Sequence, residues 1–392
     1  AELTFPEGFT FHQPEEPESV FGNDDRSLIN DPRQSPYRRH GSMRMLKSDG
    51  NWSFCSGAMV SPFVFLTAGH CVHDGGAGGS WYTNIQVTLG RNGDERWYGA
   101  ANSRTVTSVV GWTQNDDPDF DWALIELDRN VGNSTGWNGW WWYSNDNTYN
   151  GMNVSIAGYP SDLATQWSQS TLVNDTHQIE MYESTGNMLS PTSHQLRYNN
   201  TLDTFGGMSG SSVIEDKPYV GRVAVGILAY GDGGNGTNEA TRLREPMSNI
   251  ISDITGRTPP VDRADLIDWD SWFDANTSFM SDTSVRPGDS FEVTTYPRNN
   301  GTTSSGSFTV SFYASTNTFI SQSDYLLGSV SMNSLSPFVW DTATLSTFIP
   351  DSIPEGTYNV GWIIDVNDNV NEFLENNNCL LYTSPSPRDI SA

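Results

Sequence analysis

From residue 20 to residue 258 the chain is a succession of short apolar runs broken by Gly, Asn and Asp turns, and this pattern constrains the fold most. "GAMVSPFVFLTAGH", "NIQVTLG", "DWALIELD", "NVSIAGYP" and "RVAVGILAYG" read as strands bounded by turn residues. Helical periodicity is scarce. A short helical pattern in "SNIISDITG" (248–256) precedes "RTPP", which marks a domain end. A second series follows over 264–378: "FEVTTYPRN", "SFTVSFYAS", "YLLGSVSM", "TATLSTFIP" and "YNVGWIIDVN". Its spacing fits a β-sandwich. The expected class is all-β in two domains, 20–258 and 264–378, joined by a linker over 259–263. Residues 1–19 carry Pro and Glu without periodicity and are expected to be a propeptide remnant or a disordered tail. The last segment, "CLLYTSPSPRDISA" (379–392), breaks the sandwich pattern and is expected to be a non-native tail.

A net charge of −27 over 392 residues, with Lys47 and Lys217 the only lysines, repels phosphate backbones and argues against nucleic-acid binding. No apolar run approaches the roughly 18 residues of a membrane span. No signal peptide is read, and the start at Ala1 is expected to reflect processing. Cys55 and Cys71 could close one loop, a bridge contributing about 3 kcal/mol in the chain-entropy model.

Three motifs carry chemistry, in the order His, Asp, Ser. In "LTAGHC" (66–71) a strand runs into small residues and then His70, a frame that holds an imidazole as general base. His73 lacks that frame and reads as a surface residue. In "DPDFDWALIELD" (117–128), Asp121 opens the apolar strand and is the carboxylate placed to enter the interior, where it can orient the imidazole. Asp119 is the fallback. In "DTFGGMSGSS" (203–212), Ser209 is the expected nucleophile. Gly207 and Ser209 are the expected oxyanion-hole donors, through their backbone N–H groups.

Residues 20–256 resemble the chymotrypsin-like serine peptidases through "LTAGHC", "DWALIEL" and "GGMSGSS", and the glutamyl endopeptidase branch through "VFGNDDR" (20–26), "GYPSD" (158–162) and "DTFGGMSGS" (203–211). The resemblance implies two six-stranded β-barrels with the site in the cleft between them, catalytic His70, Asp121 and Ser209, and a Cys55–Cys71 bridge. Trypsin-type enzymes place an aspartate before the serine to pair with the new N-terminal amine. Met208 cannot do so, and the glutamyl branch also lacks that aspartate. In the branch a Val-like N-terminus is freed, so "SVFGNDDR" suggests a zymogen cut just before Val20.

Specificity rests on several residues. The branch's Glu-specific members carry a Thr five residues before the nucleophile, matched by Thr204, and a His on the following strand, where Leu228 stands. Asp203 occupies the place of the anion that selects Arg or Lys in trypsin-like enzymes, but "DT" before the Gly-Gly also occurs in the glutamyl branch, so a structural role for Asp203 stays open beside the substrate-binding one. Acidic, basic and apolar preferences all stay open. The backbone at Tyr230 and Gly231 is expected to pair with extended substrate. No cofactor or metal is expected: "DVNDNVNE" (365–372) lacks the glycine and the glutamate of a calcium loop and reads as a polar turn. The tryptophans of "GWNGWWWYSND" (136–146) are expected in a buried or interdomain aromatic patch.

The C-terminal region resembles CARDB-like immunoglobulin-type sandwiches through "SVRPGDSFEVT", "RNNGTTSSGSFTVSFYAST", "SDYLLGSVSM" and "IPEGTYNVGWIIDVNDNVNEFLENNN". It implies no catalysis; such modules dock extracellular partners or act as spacers. The reading is a secreted serine endopeptidase acting on proteins or peptides. The alternative is a secreted adhesion protein with an inactive protease-like domain.

Overall fold

The structure, a computed structural model, describes residues 20–165, 168–189, 191–198, 202–231, 237–268, 279–281, 284–375 and 377–381. The expected propeptide or tail over 1–19 and residues 382–392 lie outside the described residues. The chain divides into two compact units. One comprises residues 1–94, 101–128 and 135–258; the other comprises 95–100, 129–134 and 259–392.

The first unit opens with a two-residue strand β1 (Ser27–Leu28) and then builds a closed barrel. Its strands are β2 (His40–Leu46), β3 (Trp52–Met59), β4 (Val64–Thr67), β5 (Thr83–Leu89), β6 (Ala100–Ser108) and β7 (Ala123–Leu127), and the ladder closes in the order β2-β3-β4-β7-β6-β5. Closure leaves no unpaired edge, and Met43, Phe65, Leu66, Val87, Leu124 and Ile125 are buried in it. His40 is buried here with no hydrogen-bond partner for its ring among the described residues. Burial, helped by the charges of Arg222 and Arg39, pushes its imidazole down to about 3.

The second half of this unit pairs β8 (Gly139–Trp140), β9 (Asn153–Gly158), β10 (Tyr182–Asn187), β11 (Gln195–Tyr198), β12 (Ser212–Lys217), β13 (Gly221–Gly231) and β14 (Asn238–Arg242). The sheet runs β1-β10-β9-β12-β13-β14-β11, with β8 beside β13. An isolated bridge from Met188, just beyond β10, to Tyr198 of β11 links strands near opposite ends of this sheet, the second barrel of the unit, which has eight strands among the described residues where the resemblance implied six. Val154, Ile156, Leu196, Val213, Val225 and Leu228 form its core. A helix over Glu245–Thr255 buries Met247, Ile251 and Ile254 where the sequence shows helical spacing. The tryptophan run is only partly buried: Trp137 and Trp141 are 44% and 43% exposed, Trp140 and Trp142 are half-buried, and Lys217 stacks over Trp141 and Tyr143.

The second unit is a sandwich. One sheet is β16 (Phe279–Met280), β17 (Ser290–Thr295) and β21 (Ala343–Phe348), in that order; the other orders β20 (Tyr325–Met332), β19 (Phe308–Ser315), β22 (Asn359–Ile364) and β23 (Cys379–Leu381). A short pair, β15 (Leu266–Asp268) with β18 (Pro297–Asn299), completes it. Phe291, Val293, Val310, Phe312, Trp362 and Ile364 form its core. The first three residues of the expected tail, Cys379, Leu380 and Leu381, form β23 and pair with Ile363, Trp362 and Gly361, so the sandwich extends past residue 378. Backbone pairing needs no apolar pattern, which is why composition alone misplaced this strand.

Candidate active site

His70 stands in a single 3₁₀ turn, Gly69–Cys71, directly after β4. Its backbone N–H donates to Asp121 Oδ1 at 2.7 Å, and its ring Nδ1 lies 2.6 Å from Asp121 Oδ2. One carboxylate therefore clasps main chain and ring of one residue, and so sets ring orientation. Asp121 is fully buried, whereas the His70 side chain is 28% exposed. The clasp requires Gly69: a Cβ there would sit 2.7 Å from both Asp121 Oδ1 and the Trp112 ring. The Cys55–Cys71 disulfide ties this turn to β3. Asp119, the fallback orienter, instead accepts from Gln195 Nε2 and lies 3.5 Å from His194 Nδ1. His73, expected at the surface, is buried edge-on against Trp81.

Ser209 sits between Gly207 and Gly210, whose φ angles of +96° and +86° only glycine adopts freely. A Cβ on Gly207 would lie 2.6 Å from the Tyr159 carbonyl; one on Gly210 would lie 2.2 Å from Thr67 Oγ1. Ser56 of β3 clamps this loop twice. Its Oγ donates to the Gly207 carbonyl at 2.8 Å, and its N–H donates to the Ser209 carbonyl at 2.8 Å. The same Oγ accepts from Tyr159 N–H. The peptide planes before the expected oxyanion donors are also fixed. The Gly206 carbonyl accepts from Ser161 N–H and the Met208 carbonyl from Ser211 N–H. In a trans peptide the N–H points opposite the preceding carbonyl, so these two bonds set the directions of the Gly207 and Ser209 N–H groups. Met208 is buried in the core of the second barrel.

Two expected substrate contacts are corrected. Asp203 is fully buried, and its oxygens accept from Phe21 N–H and Asp25 N–H, both at 2.8 Å. That carboxylate is turned to residues 21–25 and is not a free anion for a basic substrate. Leu228 packs its side chain into the second barrel's core, and only its backbone meets the nucleophile loop, exchanging bonds with Gly210 and Ser211. The ladder between β13 and β14 slips between Leu228 and Tyr230. Such a bulge re-aims side chains, and the Tyr230 ring lies 6.0 Å from the His70 ring. Gly231 pairs with Asn238 of β14. Thr204 is buried, its hydroxyl without a hydrogen-bond partner among the described residues. Sequence reading missed Ser56 and Ser161, whose roles are hydrogen bonds across the fold, and used Gly69 only as part of the small-residue lead-in to His70. Small residues in "FCSG" and "TAGH" were the available signal.

The Trypsin family model matches residues 30–249, and the CARDB model matches 273–381. The chain is 31% identical over 239 residues to the extracellular metalloprotease of Bacillus subtilis (strain 168), covering 60% of this chain and 69% of that one. It is 30% identical over 242 residues to the glutamyl endopeptidase of Bacillus licheniformis, covering 60% and 68%. A solved structure of Glu endopeptidase in complex with MPD shares the fold at a TM-score of 0.51 and 24% identity, covering 61% of this chain and 100% of that one. The first relative's name implies a metal. Among the described residues the cluster of possible donors is Cys55, His70 and Cys71. Its two sulfurs are bonded to each other and the His70 Nδ1 faces Asp121. That donor set does not fit a metal.

Proposed function

The chain belongs to the trypsin family and is a serine endopeptidase acting on peptide substrates, and from that premise we propose how it works and where. Ser209 is the nucleophile, His70 the general base and Asp121 the carboxylate that orients it. The observation that carries this reading is the double clasp of His70 by the buried Asp121. With Nδ1 facing Asp121, the other ring nitrogen, Nε2, takes the Ser209 proton as Oγ attacks the scissile carbonyl. The imidazolium that forms sits beside a fully desolvated carboxylate. It then returns the proton to the leaving amine, and an acyl-enzyme remains on Ser209. Water, activated by the same imidazole, hydrolyses that ester. The Gly207 and Ser209 N–H groups hold the oxyanion in both steps. Beyond Ser212↔Ile227 the β12–β13 register ends. That supports substrate pairing along Tyr230 and Gly231 as an added strand.

The residue before the scissile bond is proposed to be acidic. Engagement of Asp203 by residues 21 and 25 removes the feature that favoured a basic residue. Thr204 stands five residues before Ser209, where Glu-specific members carry a Thr, and one relative is named a glutamyl endopeptidase. Secretion is supported by the disulfide, which oxidising compartments permit, and by the relative named extracellular. No helix among the described residues is long and apolar enough to cross a membrane. The C-terminal sandwich is proposed as a docking module without catalysis. Profiling cleavage of a peptide library tests the specificity: cuts after Glu or Asp are expected. Cuts after Lys or Arg would return Asp203 to the pocket, and cuts after Leu or Phe would remove Thr204's role.

A further inference from the structure

Three stretches that carry the branch resemblance but lie outside the triad, 20–26, 158–162 and 203–207, meet in one network. The Asp203 carboxylate receives the amides of Phe21 and Asp25. The next residue, Arg26, is buried and grips Asp162 with both terminal nitrogens, Nη1 to Oδ1 at 2.9 Å and Nη2 to Oδ2 at 2.6 Å. Its Nε and Nη2 also donate to Asp24. Its guanidinium carbon lies 5.9 Å from the Phe205 ring centre. Beside Asp162, the Ser161 N–H holds the Gly206 carbonyl at 2.8 Å. Residues 21–26 are thus fastened at both ends to the stretches that set the peptide between Gly206 and Gly207.

Building on the triad and oxyanion assignments above, we propose that Asp203 is a positioning residue. It docks residues 21–26 as a strap, and the docked strap holds the 203–207 turn and the 161–162 loop so that the Gly207 N–H is aimed at the oxyanion. Three observations carry this. Asp203 is fully buried with an acceptor bond on each oxygen, so removing its charge or one acceptor disturbs both strap amides. Arg26 is the second anchor: burial alone would lower its guanidinium, but the hydrogen bonds and charges of Asp24 and Asp162 outweigh it and keep it cationic. The switch that Met208 cannot make, an ion pair of a side chain with a newly cut amine, has here a different counterpart. Its donors are peptide N–H groups, present whether or not the chain is cut before Val20.

The test uses the full chain with Asp203→Asn and Arg26→Gln. Asn keeps the shape of Asp203 but turns an NH2 group toward one strap amide. Three quantities are measured: kcat and KM on quenched peptides with Glu, Lys or Leu before the cut; the acid limb of kcat/KM; and hydrogen exchange of the Phe21 and Asp25 amides. For Asp203→Asn we expect kcat to fall by about 10- to 100-fold on every peptide that wild type cleaves, since oxyanion geometry loosens. KM should stay within about threefold and the acid limb should not move, because His70 is untouched. Both amides should exchange at least about tenfold faster. Arg26→Gln should act in the same direction with a smaller loss. A folded Asp203→Asn enzyme with wild-type kcat would overturn the proposal, even if its melting temperature dropped. So would a loss confined to the Lys peptide, which would make Asp203 a specificity anion. Should Asp203→Asn fail to fold, Arg26→Gln carries the same expectation and the same reversal. Failure of the triad reading is separate: it would show as Ser209→Ala retaining wild-type activity.

Discussion

The two halves of the site are held in different ways. His70 and Asp121 belong to the first barrel, at the ends of neighbouring strands β4 and β7, and two bonds between the two residues fix the imidazole that we propose as the base. Ser209 stands on a loop of the second barrel, flanked by Gly207 and Gly210 at backbone angles open only to glycine. Its geometry is borrowed from Ser56, from Ser161 and, in our proposal, from a strap about 180 residues upstream in sequence. The base half rests on one carboxylate 51 residues along the chain; the nucleophile half is assembled from several bonds, three of them spanning 151 to 182 residues. Damage to the first should act through protonation chemistry and damage to the second through aim.

The sharpest break comes at the triad. Ser209→Ala and His70→Ala should each lower kcat by about 10⁶, while Asp121→Asn should cost about 10⁴, because it leaves the ring held in the wrong tautomer. Steady-state kinetics on one peptide checks all three. Ser56→Ala comes next. It removes the Oγ that holds the Gly207 carbonyl and the Tyr159 amide, and kcat should fall by about 10- to 100-fold without moving the acid limb. If the acid limb moved instead, the division between base and aim would be broken.

That division also explains what the sequence made legible. His70 and Asp121 were readable because their partners sit in short motifs whose small residues mark a close approach; Gly69 is small because Asp121 and Trp112 crowd it. Ser209 was readable from glycines that signal left-handed backbone. Asp203 was not, since its position suggested an anion facing substrate and only folding brings Phe21 and Asp25 to it. Leu228 was placed at the pocket only because Glu-specific members carry a His at that point of the strand; its own apolar side chain instead joins the core. Strand β23 was lost to its composition, which carries no information about backbone pairing.

Smaller effects probe the scaffold. Replacing Cys55 and Cys71 by serine should lower stability by about 3 kcal/mol, read from denaturant midpoints. The pH dependence should differ between the first barrel and the sandwich. His40 is held near 3 against an ordinary 6.5. Between those values the unfolded chain binds more protons, so the first unit should lose stability as pH falls from 6.5 toward 3. Glu372 of the sandwich is the reverse: burial, aided by Asp265 and Glu375, outweighs its bonds from Leu266 and Asn378 and raises it from 4.5 to about 8. The folded sandwich holds the extra proton in that window, so it should lose stability as pH rises from 4.5 to 8. Calorimetry across pH, with His40→Leu and Glu372→Gln flattening the respective slopes, checks both signs.

The central claim, that Ser209 is the nucleophile activated by the His70–Asp121 pair, is tested most directly by covalent trapping. The intact protein is treated with an organophosphonate serine probe, digested, and mapped by mass spectrometry. The account predicts one adduct, on Ser209, absent in Ser209→Ala and formed far more slowly in His70→Ala. No adduct on the wild-type protein, or an adduct that persists in Ser209→Ala, would contradict it.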